Sequence, residues 1–389
     1  MSTTTQDKSE LQSLTIDFLR FPLIMMVVFI HMSPKTINLI DSQYSLLSGH
    51  GISNIIKILF SHTIASIAVP TFFLISGFLF FSNFQEWSWK GYQKKIGSRI
   101  KTLLIPYILW NLLPFLLIVG KCLIGDISNG NPTTGTLDFF YNNILRIFYV
   151  FHEWESSSTD WLGNHLYSTA PLNVPLWFVR DLFVISLLTP IIYLAVTKMK
   201  IWLIIALFFA YISKIWTQIP GLDIESIFYF TVGAFFAINK YNFVEFAGKR
   251  KYKYFLLPVS AILLVACTIY DGNKTEIGHN IIPFYICTSI LSVFYLASTA
   301  IDRYNIKPSK FLVSACFFIY VTHVMPLPDI ECLLTFVKNT IQEIIPGMSL
   351  AKDIVCYFAT PIITASISIS IFAVLKRISP KTMKFICGR

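Results

Sequence analysis

Apolar residues gather into ten runs, near residues 14–33, 55–81, 102–120, 175–196, 201–219, 224–239, 254–271, 280–300, 311–327 and 352–375. A helix rising about 1.5 Å per residue needs roughly twenty such residues to cross the ~30 Å hydrocarbon layer of a bilayer. The pattern therefore predicts an all-α, polytopic membrane protein with about ten transmembrane helices. The sixth run is short, and Pro326 and Pro328 interrupt the ninth. Around these runs the chain divides into a polar N-terminal tail (1–13), one membrane domain (14–375) and a basic C-terminal tail (376–389). The longest interval without a span is about 121–173. Within it, residues 138–154 are rich in aromatics but carry Asp138, Arg146 and Glu153, which predicts a helix lying in the outer interface ahead of a loop. Thirteen mostly polar residues precede the first run, and Asp17 and Arg20 interrupt it, so a retained helix is expected there instead of a cleaved leader.

Composition agrees with the pattern. The 389 residues are 54% hydrophobic and only 13% charged, with a mean hydropathy of +0.63; a water-soluble chain carries about 25% charged residues to solvate its surface. Lys and Arg are unevenly placed. One alternating set of connections holds 20 of them, 21 with Lys8, and the other set holds 7. Basic connections stay in the cytoplasm, so an even number of spans with both termini cytoplasmic follows. The net charge of +10 then reflects topology and attraction to anionic membrane lipid, and no nucleic-acid partner is expected. The seven cysteines lack any CxxC spacing, so neither a metal site nor a disulfide framework is expected, and they read as small packing residues.

Ionisable residues inside the runs carry the chemistry. Arg20 and His31 are eleven positions apart, three helical turns plus about 20°, so both leave one helix face separated by roughly 16 Å along the axis. With the expected orientation, His31, Arg180, Asp181 and His323 share the outer half of the membrane. Asp17, Arg20, Ser76 and the basic stretch holding Lys94, Lys95 and Arg99 lie toward the cytoplasm. Each has a plain alternative: an i, i+3 ion pair for Asp17 and Arg20, a structural pair for Arg180 and Asp181, packing histidines, a close helix contact at Ser76 and Gly77, and a positive-inside anchor at residues 94–101. Two layers of ionisable groups at matched depths favour a site, because a cation costs at least ~2.5 kcal/mol in hydrocarbon. Two layers suit acyl transfer across a membrane. An anionic donor is held by Arg and Lys on the inner side, an outer His acts as general base on an alcohol, and Arg180 stabilises the developing oxyanion.

The first run, LTIDFLRFPLIMMVVFIH, resembles the first-helix signature of the acyltransferase-3 family of integral membrane acyltransferases, in which Arg, ten residues and His match Arg20 and His31. The likeness continues through VPTFFLISGFLFF (69–81), RIKTLLIPYILW (99–110), PLWFVRDLF (175–183) and IYVTH (319–323), in the same order. The resemblance implies transfer of an acyl group, most often acetyl from acetyl-CoA, to hydroxyls of cell-surface carbohydrate at a bacterial plasma (inner) membrane. It implies Arg20 and His31 as the motif pair; Arg180 and His323, placed at the same depth as His31, are expected to complete the acceptor site of the catalytic set. Asp17, Ser76, Lys95, Arg99, Trp177, Asp181 and Tyr320 are the expected substrate- and donor-binding residues, with acyl-CoA as co-substrate and no metal. Relatives often carry a second basic residue three positions after the one at Arg99, where this chain has Thr102. A separate periplasmic or extracellular transferase partner is expected to complete transfer. Two other classes compete: a proton-coupled transporter or flippase for an envelope precursor, and a sensory membrane domain without chemistry.

Overall fold

The computed structural model describes residues 5–31, 49–82, 84, 86–159, 165–213, 216, 219–272, 276–325, 340 and 349–388. Lys35, Lys214, Lys274 and Lys338, the prolines Pro326 and Pro328, Trp161 and Cys332 lie outside the described residues. Helix α1 spans Thr5–His31; α2 (Gly49–Ile58) passes through a π-helical turn (Leu59–Ile64) and a 3-10 turn (Ala65–Ile67) into α3 (Ala68–Phe81). Helix α4 (Trp89–Arg99) joins α5 (Ile105–Ser128) through a second π-helical turn (Ile100–Leu104), and α6 (Thr134–Asn143) leads to strands β1 (His152–Thr159) and β2 (His165–Ala170). Then follow α7 (Trp177–Leu187), α8 (Thr189–Met199), α9 (Ile201–Ile212), α10 (Ile224–Ile238), α11 (Phe243–Gly248) and α12 (Arg250–Gly272). The order ends with α13 (Glu276–Tyr304), α14 (Lys310–Thr322), α15 (Ser349–Ile378) and α16 (Pro380–Ile386).

Five helices among the described residues are long and apolar enough to cross a membrane: Ser9–His31, Gly51–Phe81, Trp89–Ser128, Asn280–Tyr304 and Asp353–Ile378. The pair Val174–Leu187 and Thr189–Met199, bent by 64°, makes a sixth if it acts as one span. The runs near 201, 224, 254 and 311 are also helical, but as shorter apolar helices, Ile201–Ile212, Ile224–Ile238, Tyr254–Tyr270 and Lys310–Thr322. Helix Trp89–Ser128 has 40 residues, about 60 Å, twice the hydrocarbon thickness, so its basic α4 portion reaches beyond the apolar part.

Two differences from the sequence pattern have local causes. The aromatic stretch 138–154 is helical only to Asn143; it then forms a 3-10 turn at Arg146–Phe148 and enters an antiparallel hairpin in which His152 pairs with Ala170 and Trp154 with Ser168. The chain leaves the 3-10 turn at Phe148, and Phe151 N donates to Ala170 O (3.0 Å) just ahead of β1, so strand pairing takes over the backbone groups that a continuing helix would have used. The all-α expectation therefore holds except for this hairpin. The fourth span bends where Thr189 and Pro190 open α8: proline lacks the N–H that would continue the ladder and its ring clashes with the carbonyl four residues back. Ser186 Oγ donates to Leu182 O (2.7 Å) and Thr189 Oγ1 to Ser186 O (2.8 Å), meeting carbonyls at the break.

The chain forms two compact units: residues 1–83, 229–320 and 335–369, and residues 84–228, 321–334 and 370–389. In the first, α1 packs on α3, on the turns over 59–67 and on α13, while α12 and α13 lie along one another. Leu23, Val28, Phe73, Phe80, Phe230 and Phe294 are buried there. In the second, Phe115, Val119, Ile147 and Leu172 seat the segment around the 3-10 turn Arg146–Phe148 on the distal half of α5. At the other end of α5, α16 is tied on by Trp110 Nε1 donating to Ile386 O (2.9 Å).

Candidate functional site

In the first unit, the unbroken α1 carries Asp17, Arg20 and His31. Arg20 Nη1 lies 3.3 Å from Asp17 Oδ1, with side chains 32% and 43% exposed, so the two form an i, i+3 ion pair. His31 closes the helix and is half-buried. The last turn of α1 is held from two sides. Ser61, in the first π-helical turn, donates to Phe29 O (2.7 Å) and lies 2.6 Å from Tyr357 Oη of α15. One turn away, Lys57 and Ser53 both donate to Asp353 Oδ2. Ser76 is half-buried, while its neighbour Gly77 faces the Phe230 backbone so closely that a Cβ would collide with the Phe230 carbonyl. Gly233 faces Leu74 in the same way, and these two glycines let α3 and α10 cross backbone to backbone. Tyr320 is buried, its ring 6.2 Å from Phe317.

The second unit holds Lys95, Arg99, Trp177, Arg180, Asp181 and His323. Lys95 and Arg99 sit one turn apart on α4, which Ser88 caps by accepting from Gly91 N (3.1 Å). The Lys95 ammonium lies 5.7 Å from the Phe84 ring, beside the stacked rings of Trp87 and Tyr193. Arg180 and Asp181 are both buried; Arg180 Nε donates to Asp181 Oδ1 (2.8 Å) and Nη1 to Tyr149 O (3.2 Å), with the guanidinium 5.7 Å from the Tyr149 ring. The Gly221 N–H also donates to Asp181, and Asp223 stands close enough to repel it. Asp223 accepts from the Glu225 and Ser226 backbone amides (3.0 and 3.3 Å); burial nevertheless pushes its carboxyl above the usual range. Trp177 is half-buried, its ring edge-on to Phe178.

His323 is fully buried just past the end of α14. Asn173, fully buried as well, ties that segment in place: its Nδ2 donates to Val321 O (3.0 Å) and to Trp110 O (3.3 Å), and its backbone N donates to Asn111 Oδ1 (3.0 Å). Asn111 in turn donates to Tyr107 O (2.9 Å). The geometry thus joins Asp17 with Arg20, and Arg180 with Asp181; Arg20 and His31 belong to the first unit, and Arg180 and His323 to the second. The sequence reading passed over Ser61, Tyr357, Asn111, Asn173, Lys57 and Asp353. Of these, Lys57 and Asp353 carry a visible signal, a charge within an apolar run.

Apolar helices long enough to cross a bilayer, with buried ionisable side chains on them, define an integral multi-pass membrane protein. Residues 14–375 match the acyltransferase-3 family, described as an acyltransferase domain, and the chain belongs to that family. The succinoglycan biosynthesis protein ExoH of Rhizobium meliloti (strain 1021) is 24% identical over 198 residues, 48% of this chain and 44% of that protein. The chain thus spans less than half the length of that relative. No solved structure matches it.

Proposed function

We propose that this chain is a coenzyme A-dependent O-acyltransferase of the bacterial plasma membrane, moving an acetyl group to a hydroxyl of a surface or exported polysaccharide. In this reading the chain crosses ten times with both termini in the cytoplasm, which puts Arg20 on the donor side and His31 on the acceptor side. The observation that carries this reading is the unbroken α1 with Arg20 and His31 on one face, in a chain whose residues 14–375 match an acyltransferase family. A relative named for succinoglycan biosynthesis supports a polysaccharide acceptor.

In this reading His31 takes the proton of the acceptor hydroxyl as its oxygen attacks the thioester carbonyl. Collapse of the tetrahedral species breaks the C–S bond, and His31 returns the proton to the departing CoA thiolate. Arg20, Lys95 and Arg99 bind and orient the anionic donor, with Asp17 holding Arg20 and Ser76 near the donor arm. Arg180, kept in place by Asp181, stabilises the oxyanion. His323, Trp177 and Tyr320 serve the acceptor, and a separate partner outside the membrane delivers or finishes the polymer.

The test uses inverted membrane vesicles, labelled acetyl-CoA and polysaccharide as the readout. Covalent label in polysaccharide, lost in His31→Ala at an unchanged level of inserted protein, is expected. Flux of an envelope precursor across the membrane without label transfer would replace the enzyme with a flippase.

A further inference from the structure

The last carbonyls of a helix have no amide of their own turn to accept from, so whatever satisfies them fixes how that turn is oriented. At the end of α1 the Phe29 carbonyl, two residues before His31, accepts from Ser61 Oγ at 2.7 Å. With the Ser61 proton on Phe29 O, Tyr357 Oη is the donor in the 2.6 Å contact between the two hydroxyls, a far shorter contact than its 3.4 Å approach to the Lys57 carbonyl. The order is Tyr357 to Ser61 to the Phe29 carbonyl. Ser61 occupies the π-helical turn Leu59–Ile64, where an extra residue per turn re-aims side chains, a distortion frequent at functional sites. The Phe29 ring is boxed by Phe60, Tyr357 and Phe358 at 5.7 to 6.4 Å. One turn along each helix, Lys57 pairs with Asp353, so α2 and α15 are clamped at two levels, Lys57 with Asp353 and Ser61 with Tyr357.

We propose that Tyr357 and Ser61 are positioning residues: a two-hydroxyl relay that sets the final turn of α1 and with it the direction of the His31 imidazole. The proposal rests on His31 being the base. A base displaced by an ångström loses rate, not substrate affinity.

Tyr357→Phe and Ser61→Ala each remove one hydroxyl, and Tyr357→Phe keeps the ring. In the vesicle assay with labelled acetyl-CoA, each is expected to lower kcat by roughly tenfold or more. KM for acetyl-CoA should stay within about twofold, since the donor contacts are untouched. The double variant should be no slower than the slower single, because either change breaks the same relay. Ser61→Thr, which keeps a hydroxyl, should recover most of the rate lost in Ser61→Ala. Wild-type kcat in both single variants overturns the proposal. So does a loss confined to the amount of inserted protein with turnover per inserted molecule unchanged, including failure of both variants to insert. A fully active His31→Ala would remove the base itself, whatever Tyr357→Phe does; an inactive His31→Ala beside a wild-type Tyr357→Phe would remove only the relay.

Discussion

At Asn173 one buried side chain spans two carbonyls, those of Trp110 and Val321, while its backbone amide is held by Asn111. Alanine there would remove the Asn173 donor from both carbonyls in a dry interior, and a buried carbonyl that loses its donor costs about 1 to 3 kcal/mol. Asn173→Ala is therefore expected to unfold at clearly lower temperature in detergent. It should also loosen the segment carrying His323, read as faster proteolysis after α14; an unchanged melting temperature would mean the two carbonyls find other donors. Residues of this kind were not legible in the sequence. Arg20, His31, Arg180 and His323 stand out because an ionisable group in an apolar run is costly and hence conspicuous. Asn111, Asn173, Ser61 and Tyr357 are uncharged, ordinary within apolar helices, and gain meaning only from partners far along the chain: 62 residues separate Asn111 from Asn173, and 296 separate Ser61 from Tyr357. Lys57 and Asp353 were legible by the same rule as Arg20, yet each stands near the end of its run, where a charge reads as a boundary.

Helices are where sequence periodicity speaks most clearly, and all ten apolar runs are helical over most of their described length. What periodicity does not encode is how closely two helices approach. Small residues at Ser76 and Gly77 hinted at a close contact, and the structure makes it a reciprocal one, Gly77 against Phe230 and Gly233 against Leu74. A backbone carbonyl cannot swing aside as a side chain can, so a methyl at either glycine must push the helices apart. Gly77→Ala and Gly233→Ala are each expected to destabilise by about 3 kcal/mol, the upper end for overpacking. Gly97 is the control: a Cβ there meets nothing within 4 Å, and alanine in an open helix position should stabilise by about 0.5 to 1 kcal/mol. Thermal unfolding of the three variants in one detergent checks the ordering, and a Gly77→Ala melting point at or above wild type would mean the crossing is looser than its geometry. The bend at Leu188 divides what the pattern gives as one run, 175–196, although Pro190 marks it; the pairing of 152–159 with 165–170 carries no periodic mark of its own, because it is set by register between two separate strands.

For the whole molecule the open choice is between six crossings and ten, and parity does not decide it, since both are even and both return the C-terminus to the side of the N-terminus. The interior loops differ. If Ile201–Ile212, Ile224–Ile238, Tyr254–Tyr270 and Lys310–Thr322 fail to cross, Asn280–Tyr304 runs outward and the connection 305–309 faces outside. If they cross, Asn280–Tyr304 runs inward and that connection is cytoplasmic. Length argues for failure, since 12 and 15 residues reach only about 18 and 22 Å of a ~30 Å layer. Charge argues for crossing: Arg303, Lys307 and Lys310 flank the connection, and an outside position would set three basic residues against the positive-inside rule. Thinning the bilayer over a short helix costs only fractions of a kcal/mol per ångström of mismatch, so charge should win. Lys307 is exposed, and native Cys122, also exposed, marks the outer end of the third span in either scheme. In intact cells a membrane-impermeant maleimide should label Cys122 and lose that label in Cys122→Ser. Lys307→Cys in a background carrying both Cys122→Ser and Cys332→Ser, the other cysteine that either scheme puts outside, should label only after the membrane is opened. Labelling of that variant in intact cells would reduce the crossings to six.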